Sequence, residues 1–213
     1  MKGASSKSSL YGASAEYALH SLLIMVARTD SVSVRDLARF QKLPERFLAK
    51  LFTRLKKSGI VSGTEGIKGG FALARPPEHI SVRDVLEAID PNRSLFECGE
   101  IRRNCELYDG EPPSWSVKGP CRIHLVMQEA ETAFRNVLTA KSLADLGHEF
   151  GCKAPAQFCQ STESWFQDRR CERTNRKRGD IPSTGSLQPC SLGKQGQHQS
   201  KIRQTMGGTH DDR

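Results

Sequence analysis

The sequence predicts a mainly helical fold with one small β-hairpin, and three observations support that prediction. Apolar side chains recur at helical spacing through the first 150 of the 213 residues. A glycine-rich turn between two short β-type runs interrupts this pattern once. Beyond Gly151 the sequence consists mostly of Ser, Gln, Gly and basic residues. Such a segment holds too few apolar side chains to offset the entropy cost of ordering, so we expect the folded part to end there.

Two helices are predicted before the first basic segment. The first runs from about Ala15 to Val26, since apolar residues follow one another at intervals of three and four. The second begins at Ser33, whose hydroxyl can accept from the backbone N–H three residues later. Asp36 stands at that third position, and this pairing is typical of a helix start.

The third predicted helix, from Glu45 to Ser58, has two distinct faces. Pro44 suits its first turn, and Gly59 can take the left-handed conformation that ends a helix. One face is apolar and the other is basic. The apolar face holds Leu48, Leu51, Phe52 and Leu55, and the basic face holds Arg46, Lys50, Arg54 and Lys57.

A β-hairpin is predicted next. Ile60–Val61 and Phe71–Leu73 are its two short strands, and the turn from Gly63 to Gly70 contains Lys68. Ser81 and Asp84 then repeat the helix-start pattern.

The longest predicted helix extends from Arg122 to about Ala140. Its apolar stripe is too wide for one small domain to bury, so we expect a helix that pairs with a second copy of the chain. A last short helix is predicted to follow Ser142, with Asp145 completing its cap.

These elements divide the chain into four parts. Residues 8–90 are predicted to form a helical domain that includes the hairpin, and residues 91–121 a cysteine-containing loop. Residues 122–148 hold the dimerisation helix and the closing helix. Residues 149–213 are predicted to be a disordered basic tail, with a short helix around Trp165.

The order helix, short helix, helix and hairpin is that of a winged helix-turn-helix, in which the second helix of the pair enters the major groove. The charge distribution supports this interpretation. Residues 35–83 hold 11 basic and 4 acidic side chains, a net charge of +7, so this segment carries nearly all of the net charge of +8 of the whole chain. We therefore predict a DNA-binding protein in which residues 8–90 form the DNA-binding domain. The predicted DNA-contacting residues are Arg35, Glu45, Arg46, Lys50, Arg54, Lys57 and Lys68.

Other classes of protein find less support. No apolar run approaches the about 18 residues that a membrane span requires, so we expect a cytoplasmic protein with no membrane partner. The sequence contains no phosphate-binding glycine loop, no serine-nucleophile motif and no zinc-protease motif. An enzyme is therefore not predicted.

Several segments resemble the IscR/NsrR-type family of bacterial winged-helix transcription regulators, over roughly residues 8–148. The most specific segments are the hairpin Gly66–Phe71 and the following Leu73–Pro77. The other matching segments are Glu16–Leu19, Val32–Ala38, Leu43–Leu48, Leu55–Val61, Val82–Ile89 and Ser142–Leu146. The resemblance implies a homodimer that binds double-stranded DNA, most often as a repressor.

The chain has seven cysteines, and a disulfide framework is not expected in a cytoplasmic protein. The resemblance implies that Cys98, Cys105 and Cys121 hold an iron–sulfur cluster, either 2Fe–2S or 4Fe–4S. His124, or Glu16 of the partner subunit, is then the fourth ligand. The family commonly holds its three cysteines in a compact loop, whereas here 6 and 15 residues separate them.

Four alternatives to this reading stay open. In the first three, the cysteines are free thiols, zinc ligands of a Cys₃His site, or partners in a redox-switch disulfide. Zinc is disfavoured because the sequence has no Cys-x-x-Cys pair. Glu65 stands in the hairpin where a basic residue would favour DNA. It therefore supports the fourth alternative, a protein–protein adaptor that reuses the winged helix.

If the cysteines hold a cluster, we expect the regulator to sense redox state, nitric oxide or iron–sulfur status.

Overall fold

The computed structural model describes residues 10–66, 69–91 and 93–178. As predicted, these residues are mainly helical and contain a two-stranded sheet. The elements before the cysteine loop are α1 (Ala13–Val26), α2 (Val34–Gln41), α3 (Glu45–Lys57), β1 (Val61–Thr64), β2 (Gly70–Leu73) and α4 (Val82–Ile89). Those that follow are α5 (Ser114–Val117), α6 (Arg122–Thr139), α7 (Leu143–Lys153) and α8 (Ala156–Arg178).

Serine caps begin three of these helices at the predicted positions. The hydroxyls of Ser33, Ser81 and Ser142 each accept from the backbone N–H three residues later. In α4 and α7 the aspartate at that position also accepts from the serine N–H, which completes a capping box. Each cap satisfies backbone donors that a helix N-terminus otherwise leaves unpaired.

The core lies between α1, α2 and α3. Leu22, Leu37, Leu48 and Phe52 are fully buried there. Helix α4 adds Val85, which is also fully buried. The helical spacing of these apolar residues therefore reports the buried faces correctly.

The hairpin is antiparallel, with Val61 paired to Leu73 and Thr64 paired to Gly70. Its first strand therefore begins at Val61 and runs further than the predicted Ile60–Val61. Val32 and Phe71 exchange two backbone hydrogen bonds of 2.8 Å each, which fix the hairpin against the helices. A Cβ atom at Gly70 would lie 2.6 Å from the Val32 carbonyl oxygen, so this close approach requires glycine.

A short bridge connects α7 to the winged domain. The Val82 N–H donates to the Lys141 carbonyl and the Leu143 N–H donates to the Ile80 carbonyl, at 2.8 Å each. Leu143 and Ile80 are both fully buried. The start of α7 is thus part of the same core as α1–α4.

Helix α8 corrects the predicted extent of disorder. The sequence predicts a disordered tail over 149–213, but residues 149–153 complete α7 and residues 156–178 form a 23-residue helix, so the prediction is wrong for both segments. The short helix expected around Trp165 is thus a long one, and it exceeds α6 in length. The remainder of the predicted tail, residues 179–213, lies outside the described residues.

Aromatic contacts and ion pairs hold α8 against the other helices. Phe166 is 4% exposed and belongs to the core. The Phe40 ring of α2 lies 5.1 Å from the rings of both Trp165 and Phe166. Three ion pairs connect α8 to α2 and to the turn between α1 and α2: Arg28–Glu163, Arg170–Asp30 and Arg173–Asp36. Arg170 and Arg173 of α8 therefore hold the helix in place in addition to contributing positive charge.

No helix in the described part of the chain is long and apolar enough to cross a membrane.

Replacing Phe166 with Ala should lower the free energy of unfolding by about 3 kcal/mol, because a buried aromatic side chain is lost from the core. Urea unfolding of the full chain measures this loss. Gln160→Ala, at an exposed position of α8, is the matched control and should change the midpoint little. Equal urea midpoints for the two variants would show that the Phe166 side chain does not hold α8 against the core.

Candidate nucleic-acid interface and cysteine site

A tight turn sets α3 against α2. Lys42 takes a left-handed conformation with φ of 55°, and the Leu43 N–H donates to the Ala38 carbonyl at 2.8 Å. Pro44 then stands at the N-cap of α3 with an extended backbone. This geometry is a helix-turn-helix, with α3 as the second helix of the pair.

The outer face of α3 is basic, as predicted. Arg46, Lys50 and Lys57 are all exposed, while the apolar face on the other side of the helix is buried. At the helix start, Arg35 of α2 lies 3.8 Å from Glu45, and both side chains are largely exposed. Three exposed cations and one charge pair therefore share the surface that a helix-turn-helix presents to DNA.

Arg54 differs from the other basic residues of α3. Its Nη1 donates to the Ile89 carbonyl at 2.8 Å, at the C-terminal end of α4, where carbonyl oxygens lack helical partners. The guanidinium group thus ties α3 to α4. Arg54 is nevertheless exposed, so its predicted contact with DNA stays a prediction.

Phe47 is a surface feature of α3 that the sequence analysis missed. Its ring is 37% exposed and meets the Tyr17 ring of α1 edge to face at 5.8 Å. An apolar ring between Arg46 and Lys50 can contact a thymine methyl group in the major groove. In the sequence, Phe47 directly precedes Leu48 of the buried face, so its place at the edge of that face could have indicated a partly exposed ring.

The hairpin lies beside the C-terminal end of α3. A Cβ atom at Gly63 would lie 3.5 Å from Lys56 Nζ, so the two elements are in contact. Glu65, which follows β1, is exposed. Ile67 and Lys68 lie outside the described residues, so the predicted contact of Lys68 with DNA stays a prediction.

Arg102 joins the two ends of the cysteine loop. Its guanidinium donates to Glu100 at 2.5 Å and 2.9 Å, and to the Gly119 carbonyl at 3.2 Å. The pKa of Arg102 is raised, first by the hydrogen bond to Glu100 and further by Cys121 and Cys98. Both sulfur atoms thus lie within electrostatic reach of one cation.

Cys121 occupies the N-cap of α6. The pKa of its thiol lies below the ordinary value, chiefly because the backbone N–H of His124 stabilises the thiolate. The Ile123 N–H and Arg102 act in the same direction. A helix N-terminus is a known setting for such activation. Within the described part of the chain, His124 Nδ1 is buried without a hydrogen-bond partner, which leaves one ring nitrogen available to a ligand.

The donors at the start of α6 fit an iron–sulfur cluster in kind, since they are one thiol with a lowered pKa and one imidazole nitrogen. The described residues hold no group of three or more His, Cys, Asp or Glu side chains arranged to bind a metal ion. Cys98 and Cys105 are exposed, and Glu16 is exposed on α1. The structure places Cys121 and His124 together and does not assemble the full predicted ligand set.

Comparison with known proteins gives a family match over most of the described chain. The model of the Rrf2 family, described as an iron-dependent transcriptional regulator, matches residues 11–149. The HTH-type transcriptional regulator NsrR of Geobacillus kaustophilus is 33% identical over 134 residues, which are 62% of this chain and 84% of that protein. Protein rrf2 of Nitratidesulfovibrio vulgaris is 33% identical over 115 residues, covering 54% of this chain and 70% of that protein.

Solved structures agree on the fold. T. potens IscR superposes with a TM-score of 0.50 at 21% identity, covering 70% of this chain and 95% of the other. A transcriptional regulator from Listeria innocua gives a TM-score of 0.50 at 23% identity, covering 63% of this chain and 83% of the other. Helix α8 begins beyond the residues that the family model matches.

In chelator-treated, metal-free protein, Cys121 should be alkylated by iodoacetamide at lower pH than free N-acetylcysteine. The thiolate is the reacting species, and the lowered pKa of Cys121 makes its thiolate available at lower pH. Peptide mass spectrometry across a pH series gives the midpoint of the Cys121 reaction. The Arg102→Ala variant should move this midpoint upward. A midpoint equal to that of N-acetylcysteine in the unmodified chain would contradict the assignment.

Proposed function

The chain belongs to the Rrf2 family of transcriptional regulators, and on that premise we propose that it represses transcription as a homodimer bound to DNA in the cytoplasm. Each subunit places α3 in the major groove. The observation that carries the proposal is the exposed basic face of α3, held in a helix-turn-helix beside a β-hairpin.

Different residues of this surface suit different contacts. Arg46, Lys50 and Lys57 are exposed cations that fit phosphate oxygens or guanine edges. Glu45, at the helix start, fits a cytosine amino group, and Arg35 holds it in place from α2. Phe47 fits a thymine methyl group. The tie to Ile89 makes Arg54 a positioning residue for α3 in this proposal.

Helix α6 supports the dimer. None of its residues is buried, although it carries apolar side chains along one stripe. Ile123, Val126 and Val137 are 65%, 61% and 66% exposed. Apolar side chains in such a continuous arrangement mark an interaction surface. A second copy of α6 covers this stripe in a two-fold arrangement, which also sets two α3 helices on one duplex.

An iron–sulfur cluster is the proposed sensor. Cys98, Cys105 and Cys121 hold it, and His124 or Glu16 of the partner subunit completes the ligand set. A bound cluster supplies a group whose oxidation, nitrosylation or loss changes the charge and shape of the loop. The iron dependence in the family description and the thiolate-stabilising start of α6 support this proposal. A regulator that uses a thiol switch or zinc is the alternative.

Removing basic side chains from α3 should lower the affinity for DNA and should also make that affinity less sensitive to salt concentration. Each lost phosphate contact lowers the slope of log K against log salt by about 1, so Lys50→Ala and Arg46→Ala should each weaken binding several-fold. Mobility shifts with a duplex selected from a random library measure both quantities.

The control is Lys153→Ala, which removes one charge from the last turn of α7 and should leave the slope unchanged. Equal affinity and slope in all variants would remove α3 from the interface. Failure of the unmodified chain to select any duplex, with and without iron, would favour the adaptor suggested by Glu65.

Anaerobic reconstitution with iron and sulfide should give a coloured protein with visible absorption bands. Cys121→Ser should lower its iron and sulfide content by at least half, because a preferred thiolate is lost. Cys152→Ser is the matched control, since Cys152 is an exposed cysteine of α7. A colourless, iron-free product from the unmodified chain would exclude the cluster and leave the thiol-switch alternative.

A further inference from the structure

A cavity of about 460 Å³ lies between α1, α2, α7 and α8. Most of its lining is apolar and includes Leu23 and Ile24 of α1, Phe40 of α2, Phe150 of α7 and Phe158 of α8. The volume falls within the range of small-molecule sites in proteins, about 300–1,000 Å³. Because α8 begins beyond the matched residues 11–149, one wall comes from a segment outside the family match.

The polar groups of the cavity narrow the class of ligand. Arg28 donates to both oxygens of Glu163, at 2.6 Å and 3.3 Å, and its side chain is only 6% exposed. Its guanidinium group also lies 4.6 Å from the centre of the Phe166 ring. The Glu163 carboxylate is half exposed but already neutralises Arg28, so an anionic ligand would first have to displace it. A neutral ligand leaves the pair intact.

We propose that this cavity binds a small, neutral, largely apolar molecule. The polar segment 179–213 is a poor occupant by comparison, since its sequence is mostly Ser, Gln, Gly and charged residues. Such a ligand touches α8 and the helix-turn-helix at once, so it stabilises the docked position of α8. The proposal does not depend on DNA binding or on a cluster.

The probe for the test is prodan, a neutral naphthalene that has one ketone oxygen and whose fluorescence reports on polarity. The full chain should bind prodan saturably at one site, with blue-shifted emission. Gly151→Trp should weaken this binding at least tenfold. Gly151 lines the cavity, and a Cβ atom there meets nothing within 4 Å, so the indole ring fills the space. Gln157→Trp, at an exposed position of α8, is the matched control and should bind as the unmodified chain does.

A second measurement uses the unmodified chain and so does not depend on how a variant folds. Cys159 lines the cavity, whereas Cys152 does not. Saturating prodan should slow the alkylation of Cys159 at least fivefold and leave that of Cys152 unchanged. Absence of saturable binding, or equal binding by Gly151→Trp with no protection of Cys159, would overturn the proposal. Loss of the signal in Val126→Glu alone would assign prodan to the exposed stripe of α6 and would equally overturn it.

Discussion

The apolar face of α3 fills the centre of the core, and the positions of the other elements depend on its burial. Leu48 and Phe52 are fully buried between α1 and α2. Burying four such side chains on one face of one helix contributes several kcal/mol. Since the two faces of a helix are linked by its geometry, this burial also turns the basic side chains outward. The constraint that folds the domain is therefore the one that presents its candidate DNA-binding surface.

The same core connects that surface to the cysteine loop. The backbone bridge between Ser81 and Ser142 fixes the end of α6 against the start of α4. The opposite end of α6 begins at Cys121. In the proposed function, a change at the loop reaches α3 through α6, the bridge and α4, which Arg54 ties to α3. Helix α8 is held to the same domain, since its Arg173 pairs with Asp36 in the first turn of α2.

Local signals in the sequence predicted much of this architecture. Ser33, Ser81 and Ser142 begin helices because the serine-to-aspartate spacing satisfies backbone donors wherever it occurs. Gly59 ends the α3 segment with φ of 68°, as its position after the last periodic residue indicates. Such features depend on a few neighbouring residues, so they are visible without the fold.

Features that depend on distant partners were not predictable. Over residues 156–175, Phe166 is the one buried side chain of α8, and the other contacts of the helix to the domain include arginine–carboxylate pairs. A composition poor in apolar residues therefore indicated disorder where a docked helix forms. Arg54 belongs to the basic face by spacing, yet it reaches the Ile89 carbonyl 35 positions away. The same holds for Cys98, Cys105 and Cys121, because the fold of the loop, and not the number of residues between them, sets how far apart they lie in space.

Hydroxyl-radical footprinting on an in vitro selected duplex, combined with the mass of the complex, tests the central claim most directly. The account predicts two chains per duplex and two protected half-sites related by a dyad, about 10 base pairs apart or a multiple of that spacing. Val126→Glu, which places a charge in the exposed stripe of α6, should abolish the paired protection. One chain bound to a single half-site, or paired protection that survives Val126→Glu, would contradict a dimer that reads DNA through two α3 helices.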